Sequence, residues 1–213
     1  MVKDNSKKKK EKFILGIDTS GKICSVALSN NDVIIGKASN NAELTHSQKL
    51  MPLIEKLLFE SNVTLQNLYK IAVAVGPGSY TGLRIGISTA KGIAFGLGIK
   101  CIGISTLKAL TFNVKTSENI LAIMKARADL VYAGGYIPDQ LIPKKLLAEQ
   151  LLENTVFVGD GAVDFFEEYG RKSDTLAENL LQNAESICLC AKNISPVSPL
   201  ELKPVYLQEF HLN

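Results

Sequence analysis

The chain has 213 residues, of which 46% are hydrophobic and 21% charged, and it contains no tryptophan. This length and composition fit a soluble globular α/β protein with one large domain or two small ones, and they exclude a disordered chain. No run of about 18 apolar residues occurs in the sequence, so neither a transmembrane helix nor a membrane partner is predicted.

The positive net charge of +3 is concentrated in the first twelve residues. Six of the 24 Lys and Arg residues and two of the 21 Asp and Glu residues lie there. The rest of the chain therefore has 18 basic and 19 acidic residues, which is a net charge of −1. A nearly neutral body argues against independent RNA binding. For residues 1–12 two interpretations stay open: a disordered lysine-rich tail, or a segment that adds weak, salt-sensitive attraction to RNA.

Four cysteines, Cys24, Cys101, Cys188 and Cys190, are scattered without a C-x-x-C pair. The N-terminal residues have no apolar run typical of a secretory signal. We therefore expect a cytoplasmic protein with reduced cysteines in its core, and we predict neither a disulfide framework nor a metal site.

The first half of the chain alternates between strand and helix patterns. Three short runs rich in Ile, Val and small residues end at turn signals, which predicts an antiparallel meander. After Thr45, a candidate N-cap, apolar residues Leu50, Ile54 and Leu57 recur at helical spacing. The predicted elements are strands 13–20, 22–29 and 32–39, helix 45–60, strand 70–75, helix 82–97 and strand 100–105.

The second half repeats this order in shortened form and ends in a proline-rich, extended segment. Its predicted elements are helix 106–113, strands near 119–125, 130–136 and 155–159, and helices near 144–152, 161–169 and 175–192. This order is that of a ribonuclease-H-like unit used twice. It predicts an actin-like (ASKHA) duplicated α/β fold with a reduced second half, divided into the tail 1–12, an N-terminal subdomain 13–105 and a C-terminal subdomain 106–213.

A glycine-rich string, G-P-G-S-Y-T-G-L-R-I-G, occupies residues 76–86 between a predicted strand and a predicted helix. Glycine and proline make a tight turn there, and the amides at the start of the helix could bind an anion. The spacing matches neither a P-loop nor the dinucleotide fingerprint. A phosphate-binding loop and a purely structural turn both remain open.

The helix after this loop carries a ridge of small residues every four positions: Gly82, Gly86, Ala90, Ala94 and Gly98. Such a ridge allows another helix to approach closely. Apolar residues lie outside the main stripe of both helices, among them Met51 and Phe59. We therefore predict a protein partner on these helices, with deep burial of both as the alternative.

Five strings together resemble the TsaB (YeaZ) family: I-D-T-S at 17–20, H-S-Q-K-L-M-P at 46–52, the 76–86 loop, I-G-I-S-T-L at 102–107 and P-V-Y-L at 204–207. The resemblance implies an actin-like, non-catalytic homologue of the glycoprotease (M22) superfamily. It also implies a cytoplasmic scaffold that pairs with TsaD, the subunit that transfers a threonylcarbamoyl group to the adenosine following the anticodon in tRNAs reading ANN codons. TsaE joins this pair, and tRNA is reached indirectly through the complex.

The resemblance also implies that TsaD contacts the first two helices, through which the chain could also form a homodimer. The predicted partner-interface residues are His46, Leu50, Met51, Leu53, Ile54, Leu57, Gly82, Arg84, Ile85, Gly86, Thr89, Ala90 and Ile93.

The main alternative is an ATP-dependent kinase or ATPase of the actin and sugar-kinase class. In such enzymes an aspartate at the position of Asp18 is associated with magnesium, and a second acidic residue helps to hold the ion. Lys125 lies at or beside that second position, and only a weak second phosphate loop, 159–161, is present. No cofactor is required, although ATP or ADP could bind at the subunit boundary. The candidate nucleotide-binding residues are Asp18, Thr19, Ser20, Gly76, Gly78, Ser79 and Arg127.

No catalytic residue is predicted. Only His46 and His211 could serve as histidine bases, and no G-x-S-x-G elbow occurs. Leu50 follows His46 at i+4, so an H-x-x-x-H metal pair is half missing, and His46 is better explained as a capping or interface residue. A free-standing RNA-binding module is a third, weaker interpretation.

Overall fold

The computed structural model describes residues 11–40, 46–115 and 119–207. The predicted N-cap Thr45, as well as His211 and most of the lysine-rich tail, lies outside these ranges. Within them the chain forms two five-stranded sheets with helices packed against them.

The first sheet has the strand order β3-β2-β1-β4-β5. The first three strands are antiparallel, and β4 and β5 run parallel to β1, so the predicted meander is confirmed. Helices α1 and α2 pack against this sheet. The elements are β1 Phe13–Asp18, β2 Cys24–Asn30, β3 Val33–Asn40, α1 His46–Glu60, β4 Leu68–Gly76, α2 Tyr80–Leu97, β5 Lys100–Ser105 and α3 Thr106–Thr111.

The second sheet repeats the topology of the first. Its elements are β6 Asn119–Lys125, β7 Leu130–Gly135, β8 Gln140–Pro143, α4 Lys144–Ala148, β9 Thr155–Val158, α5 Ala162–Tyr169, β10 Thr175–Leu176 and α6 Ala184–Cys190. Its order is β10-β9-β6-β7-β8, with β6 to β8 antiparallel and β9 and β10 parallel to β6. The predicted duplicated actin-like fold with a reduced second half is confirmed.

One predicted helix, 175–192, is wrong over its first half. The leucine spacing there suits a helix, but Thr175 and Leu176 pair with β9 and the amide of Ala177 donates to the carbonyl of Phe157 at 2.9 Å. The helix begins only after Asn183, whose side chain accepts from the amide of Ser186 at 2.9 Å. Strands β8 and β10 were not predicted, because β10 has only two residues and β8 has four that end in a proline, which is atypical of a strand.

The C-terminal part of the chain returns to the first sheet, so the structure divides the chain differently from the predicted boundary at 105/106. Helix α6 packs on β1 and β2, and its Ile187 and Cys190 belong to the core of the first sheet. Val197 exchanges two backbone hydrogen bonds with Cys101, at 2.8 and 3.0 Å. The proline-rich segment is irregular, with a turn in which the amide of Glu201 donates to the carbonyl of Ser198 at 3.0 Å, and it contacts α2 where Lys91 donates to the carbonyl of Leu202.

All four cysteines are buried and free. Burial raises the pKa of the Cys188 thiol to about 12. The predicted role of the cysteines as core residues is confirmed.

The small-residue ridge of α2 faces the chain's own sheet, which corrects the prediction that it faces a partner. A Cβ atom at Gly86 would lie 2.3 Å from Oγ1 of Thr19, and one at Gly82 would lie 2.1 Å from the carbonyl oxygen of Thr19. Ala90 and Ala94 are also fully buried. The small side chains thus allow α2 to approach the end of β1 closely.

The same correction applies to part of α1, where Leu50, Ile54 and Leu57 are buried in the core of the first sheet. The predicted interface residues that keep some exposure are His46, Met51, Leu53, Arg84, Ile85, Thr89 and Ile93.

Candidate functional site

A cleft of about 640 Å³ opens where loops of the two sheets meet. From the first sheet it receives the turn after β1 and the glycine loop before α2. From the second it receives the end of β6 and the turn after β9. The lining residues are Ser20, Gly21, Lys22, Gly78, Ser79, Met124, Lys125, Ala126, Arg127, Tyr132, Leu141 and Asp160. Ligands of α/β proteins bind at such strand ends.

The turn after β1 is closed by its own hydrogen bonds. The amide and hydroxyl of Ser20 donate to Oδ1 of Asp18 at 2.9 and 2.6 Å. The hydroxyl of Thr19 donates to the carbonyl of Gly82 at 2.7 Å. These bonds hold both Asp18 and Thr19 beneath the cleft surface.

The predicted nucleotide-binding set is therefore divided. Its members Ser20, Gly78, Ser79 and Arg127 line the cleft. Asp18 and Thr19 are no more than 1% exposed, which contradicts the alternative in which Asp18 is associated with magnesium and Thr19 contacts phosphate. Ser20 lines the cleft but is only 2% exposed, and its hydroxyl donates to Asp18. Gly76 is also outside the lining, because it lies against the C-terminal segment, where an added Cβ would be 2.4 Å from the carbonyl oxygen of Val205.

The Asp18 carboxyl group is buried with one unpartnered atom, Oδ2. Burial raises the pKa of this carboxyl group above its ordinary value of 3.8, although the hydrogen bonds from Ser20 and the neighbouring His46 act in the opposite direction. The ionised form therefore destabilises the folded state.

This raised pKa predicts a pH-dependent effect of Asp18→Asn. The protonated carboxyl group stabilises the fold fully below pH 3.8, and this contribution is lost as the pH rises through the higher folded pKa. The gain in unfolding free energy of Asp18→Asn over the wild type is therefore expected to be larger at neutral pH than in acid. Denaturant unfolding of both proteins across this range would measure it, and parallel curves would contradict it.

The opposite wall of the cleft contains Lys125 at or beside the position where actin-like ATPases carry an acidic magnesium ligand. Its ammonium group lies 2.7 Å from Oδ2 of Asp164, and its amide donates to Oδ1 of Asp160 at 3.1 Å. With Asp18 buried and a lysine on this wall, the residues do not fit a magnesium–nucleotide complex. Among the residues described, no three His, Cys, Asp or Glu side chains converge on a metal position.

His46 connects helix α1 to the cleft. Its Nε2 atom lies 2.9 Å from the carbonyl oxygen of Gly21, and its ring lies next to Gly82. This placement at the start of α1 fits the predicted capping or interface role better than the role of a metal ligand.

A cluster on α2 was missed by the sequence reasoning. Arg84 lies over the ring of Tyr80, 4.2 Å from its centroid, and its Nε donates to the hydroxyl of Tyr206 at 3.3 Å. The rings of Tyr80 and Tyr206 stack with centroids 5.5 Å apart. The P-V-Y-L string at 204–207, which contains Tyr206, was the sequence feature that could have indicated this cluster. The cluster holds the C-terminal segment on the first turns of α2.

The family model described as "TsaD: tRNA N6-adenosine threonylcarbamoyltransferase" matches residues 36–180 of the chain. The chain belongs to this family, as a protein of the TsaB (YeaZ) type. None of the helices in the described ranges combines the length and apolar character needed to cross a bilayer.

Individual relatives agree with this assignment. The Haemophilus influenzae tRNA threonylcarbamoyladenosine biosynthesis protein TsaB is 29% identical, with 92% of this chain and 93% of that protein covered. The Bacillus subtilis protein of the same name is 36% identical over 65% of this chain and 64% of its own length. The solved structure of YeaZ from Pseudomonas aeruginosa superposes with a TM-score of 0.78 at 26% identity and covers 92% of this chain and all of that one.

Proposed function

We propose that the chain is an accessory, non-catalytic subunit that pairs with TsaD during threonylcarbamoyl transfer to the adenosine following the anticodon in tRNAs reading ANN codons. The names of its relatives and the match to the TsaD family model support a role in threonylcarbamoyladenosine biosynthesis. The observation that favours a scaffold over an enzyme is the cleft. Asp18 lies below its surface, and Lys125 on the opposite wall lies at or beside the position where a magnesium-dependent enzyme of the actin class needs an acid.

We propose the exposed sides of α1 and α2 as the surface for TsaD. Met51 and Arg84 are exposed there, and Leu53, Ile85 and Ile93 are half-buried. The buried ridge of α2 supports this surface from below, because it fixes the helix against the sheet. The same surface would serve a homodimer when TsaD is absent. TsaE is proposed to join through the assembled pair.

For a nucleotide we propose the cleft as the binding place, at the boundary with the partner. The donors that could face phosphates are the side chains of Lys22, Ser79 and Arg127. Because the residues do not fit magnesium, the proposed nucleotide would bind at this cleft without hydrolysis or group transfer.

The decisive experiment is co-purification of the full chain with the cognate TsaD, together with an ATP hydrolysis assay on the isolated chain. A scaffold is expected to pair with TsaD and to show no turnover alone. The rival kinase interpretation predicts turnover that Asp18→Asn abolishes. That result, or the absence of TsaD pairing, would overturn the proposed function.

A further inference from the structure

A cluster of lysines lies at the end of the first sheet that is opposite the cleft. Strands β1 and β4 run in parallel toward the cleft loops, so their amino ends meet at the far edge of the sheet. Lys12 precedes β1, and Lys70 lies in β4 beside Lys100 of the neighbouring strand β5. Lys192 follows α6 and lines the same groove as Lys12 and Lys70. We refer to these four lysines as the basic end.

A half-exposed aromatic ring lies among these lysines. The ammonium groups of Lys12 and Lys70 lie 5.5 and 4.8 Å from the ring centroid of Tyr69. Tyr69 is 45% exposed, so part of its ring stays available to a ligand.

The positive charge of the basic end is poorly neutralised. Within the ranges 11–40, 46–115 and 119–207, Lys12, Lys70 and Lys100 form no ion pair with a carboxylate, and Lys192 pairs with Asp32 at 3.4 Å. Glu11, which precedes Lys12, accepts a hydrogen bond from Nδ2 of Asn30 at 3.5 Å. The sequence adds four consecutive lysines, residues 7–10, directly before Glu11. The chain after residue 12 is nearly neutral as a whole, but it has a local excess of positive charge at the basic end. These lysines repel one another unless a polyanion binds there.

We propose that the basic end binds the sugar–phosphate backbone of RNA, which is tRNA if the proposed function holds, since the inference deepens that function. Lysines contact phosphates without reading sequence, and the exposed part of the Tyr69 side chain can contact a base or a sugar. The aliphatic residues of the groove, Ile14 and Ile102, are buried, so the groove presents no aliphatic side chain to a lipid surface. The chain would thus contact the RNA directly, at the end of the first sheet that is opposite the cleft.

The test measures the affinity of the full chain for an unmodified tRNA transcript across a salt series. The variant Lys70→Gln/Lys100→Gln removes two lysines of the basic end. Its matched control, Lys145→Gln/Lys172→Gln, removes two exposed lysines from the second half of the chain. The slope of log affinity against log salt is expected to fall by about 1.4–1.8 in the first variant, because each lost phosphate contact contributes about 0.7–0.9. The affinity at low salt should fall at least about tenfold.

The control is expected to retain the slope and affinity of the wild type, and removal of residues 2–10 should lower the slope further. The proposal is overturned if the wild type does not bind tRNA at low salt, or if both double variants behave alike. It is also overturned if Lys70→Gln/Lys100→Gln loses binding to phosphatidylserine vesicles but keeps tRNA binding. TsaD pairing of the same variants is measured in parallel. If TsaD pairing failed while tRNA binding behaved as expected, the proposed function would be contradicted and the inference about RNA would stand.

Discussion

Replacing Gly86 by alanine is expected to destabilise the isolated chain by about 2–4 kcal/mol and to lower its melting temperature by about 4–16 °C. The added Cβ would lie 2.3 Å from Oγ1 of Thr19 and would also approach Val73 and Ile17. Either α2 must move away from β1, or Thr19 must lose its hydrogen bond to Gly82. Gly86→Leu should prevent folding altogether.

Gly92 provides the matched control on the same helix, because an added Cβ there meets no atom within 4 Å. Gly92→Ala is expected to stabilise the chain by roughly 0.5–1 kcal/mol, since alanine has the higher helix propensity. Thermal unfolding of both variants measures the contrast. Equal melting temperatures would mean that the ridge of α2 is not packed as closely as described.

Placing a charge on the exposed part of α1 and α2 is expected to weaken TsaD pairing by about tenfold or more for each site, which corresponds to about 1.4 kcal/mol. Met51→Asp changes α1, and Thr89→Asp changes α2. Both side chains keep some exposure in the isolated chain, so a carboxylate there stays hydrated until a partner covers it. The loss should therefore appear in pairing affinity and not in folding.

The control for this prediction is Leu152→Asp, which places the same charge on an exposed apolar residue of the second half. Leu152 is 46% exposed and Met51 is 37% exposed, so the two substitutions are closely matched. Pairing is measured by titration with TsaD, and folding by thermal unfolding. If Leu152→Asp weakened pairing as much as Met51→Asp, the proposed surface would be in the wrong place.

Several features could be read from the sequence because their signals are local. The three meander strands, the two long helices and the turn before α2 each show a clear period or a glycine–proline turn. The strand order of one ribonuclease-H-like unit was enough to predict the duplicated fold. Similarly, scattered cysteines without a paired spacing indicated buried thiols.

The orientation of α2 could not be read in this way. A ridge of Gly82, Gly86 and Ala90 permits close approach, but the same small side chains suit a neighbouring helix and the chain's own sheet equally. The choice depends on Thr19 and Gly82 forming a hydrogen bond across 63 positions of sequence. A local sequence pattern cannot indicate a contact between residues so far apart in the chain.

The positions of the three consecutive polar residues 18–20 relative to the cleft could not be predicted from the sequence either. The string I-D-T-S predicted a turn that contacts magnesium and phosphate, yet Asp18 and Thr19 lie beneath the cleft, and the hydroxyl of Ser20, which lines the cleft, donates to Asp18. The basic end could not be recognised from the net charge of the chain, because Lys12, Lys70 and Lys100 are far apart in sequence. They come together only where the parallel strands begin. The sequence by itself determined most of the elements, the family and the glycine–proline turn before α2, because these features depend on short-range periods, local motifs and backbone preferences. The tertiary structure alone decided which faces are buried and which charges lie together, because those properties depend on contacts between distant residues.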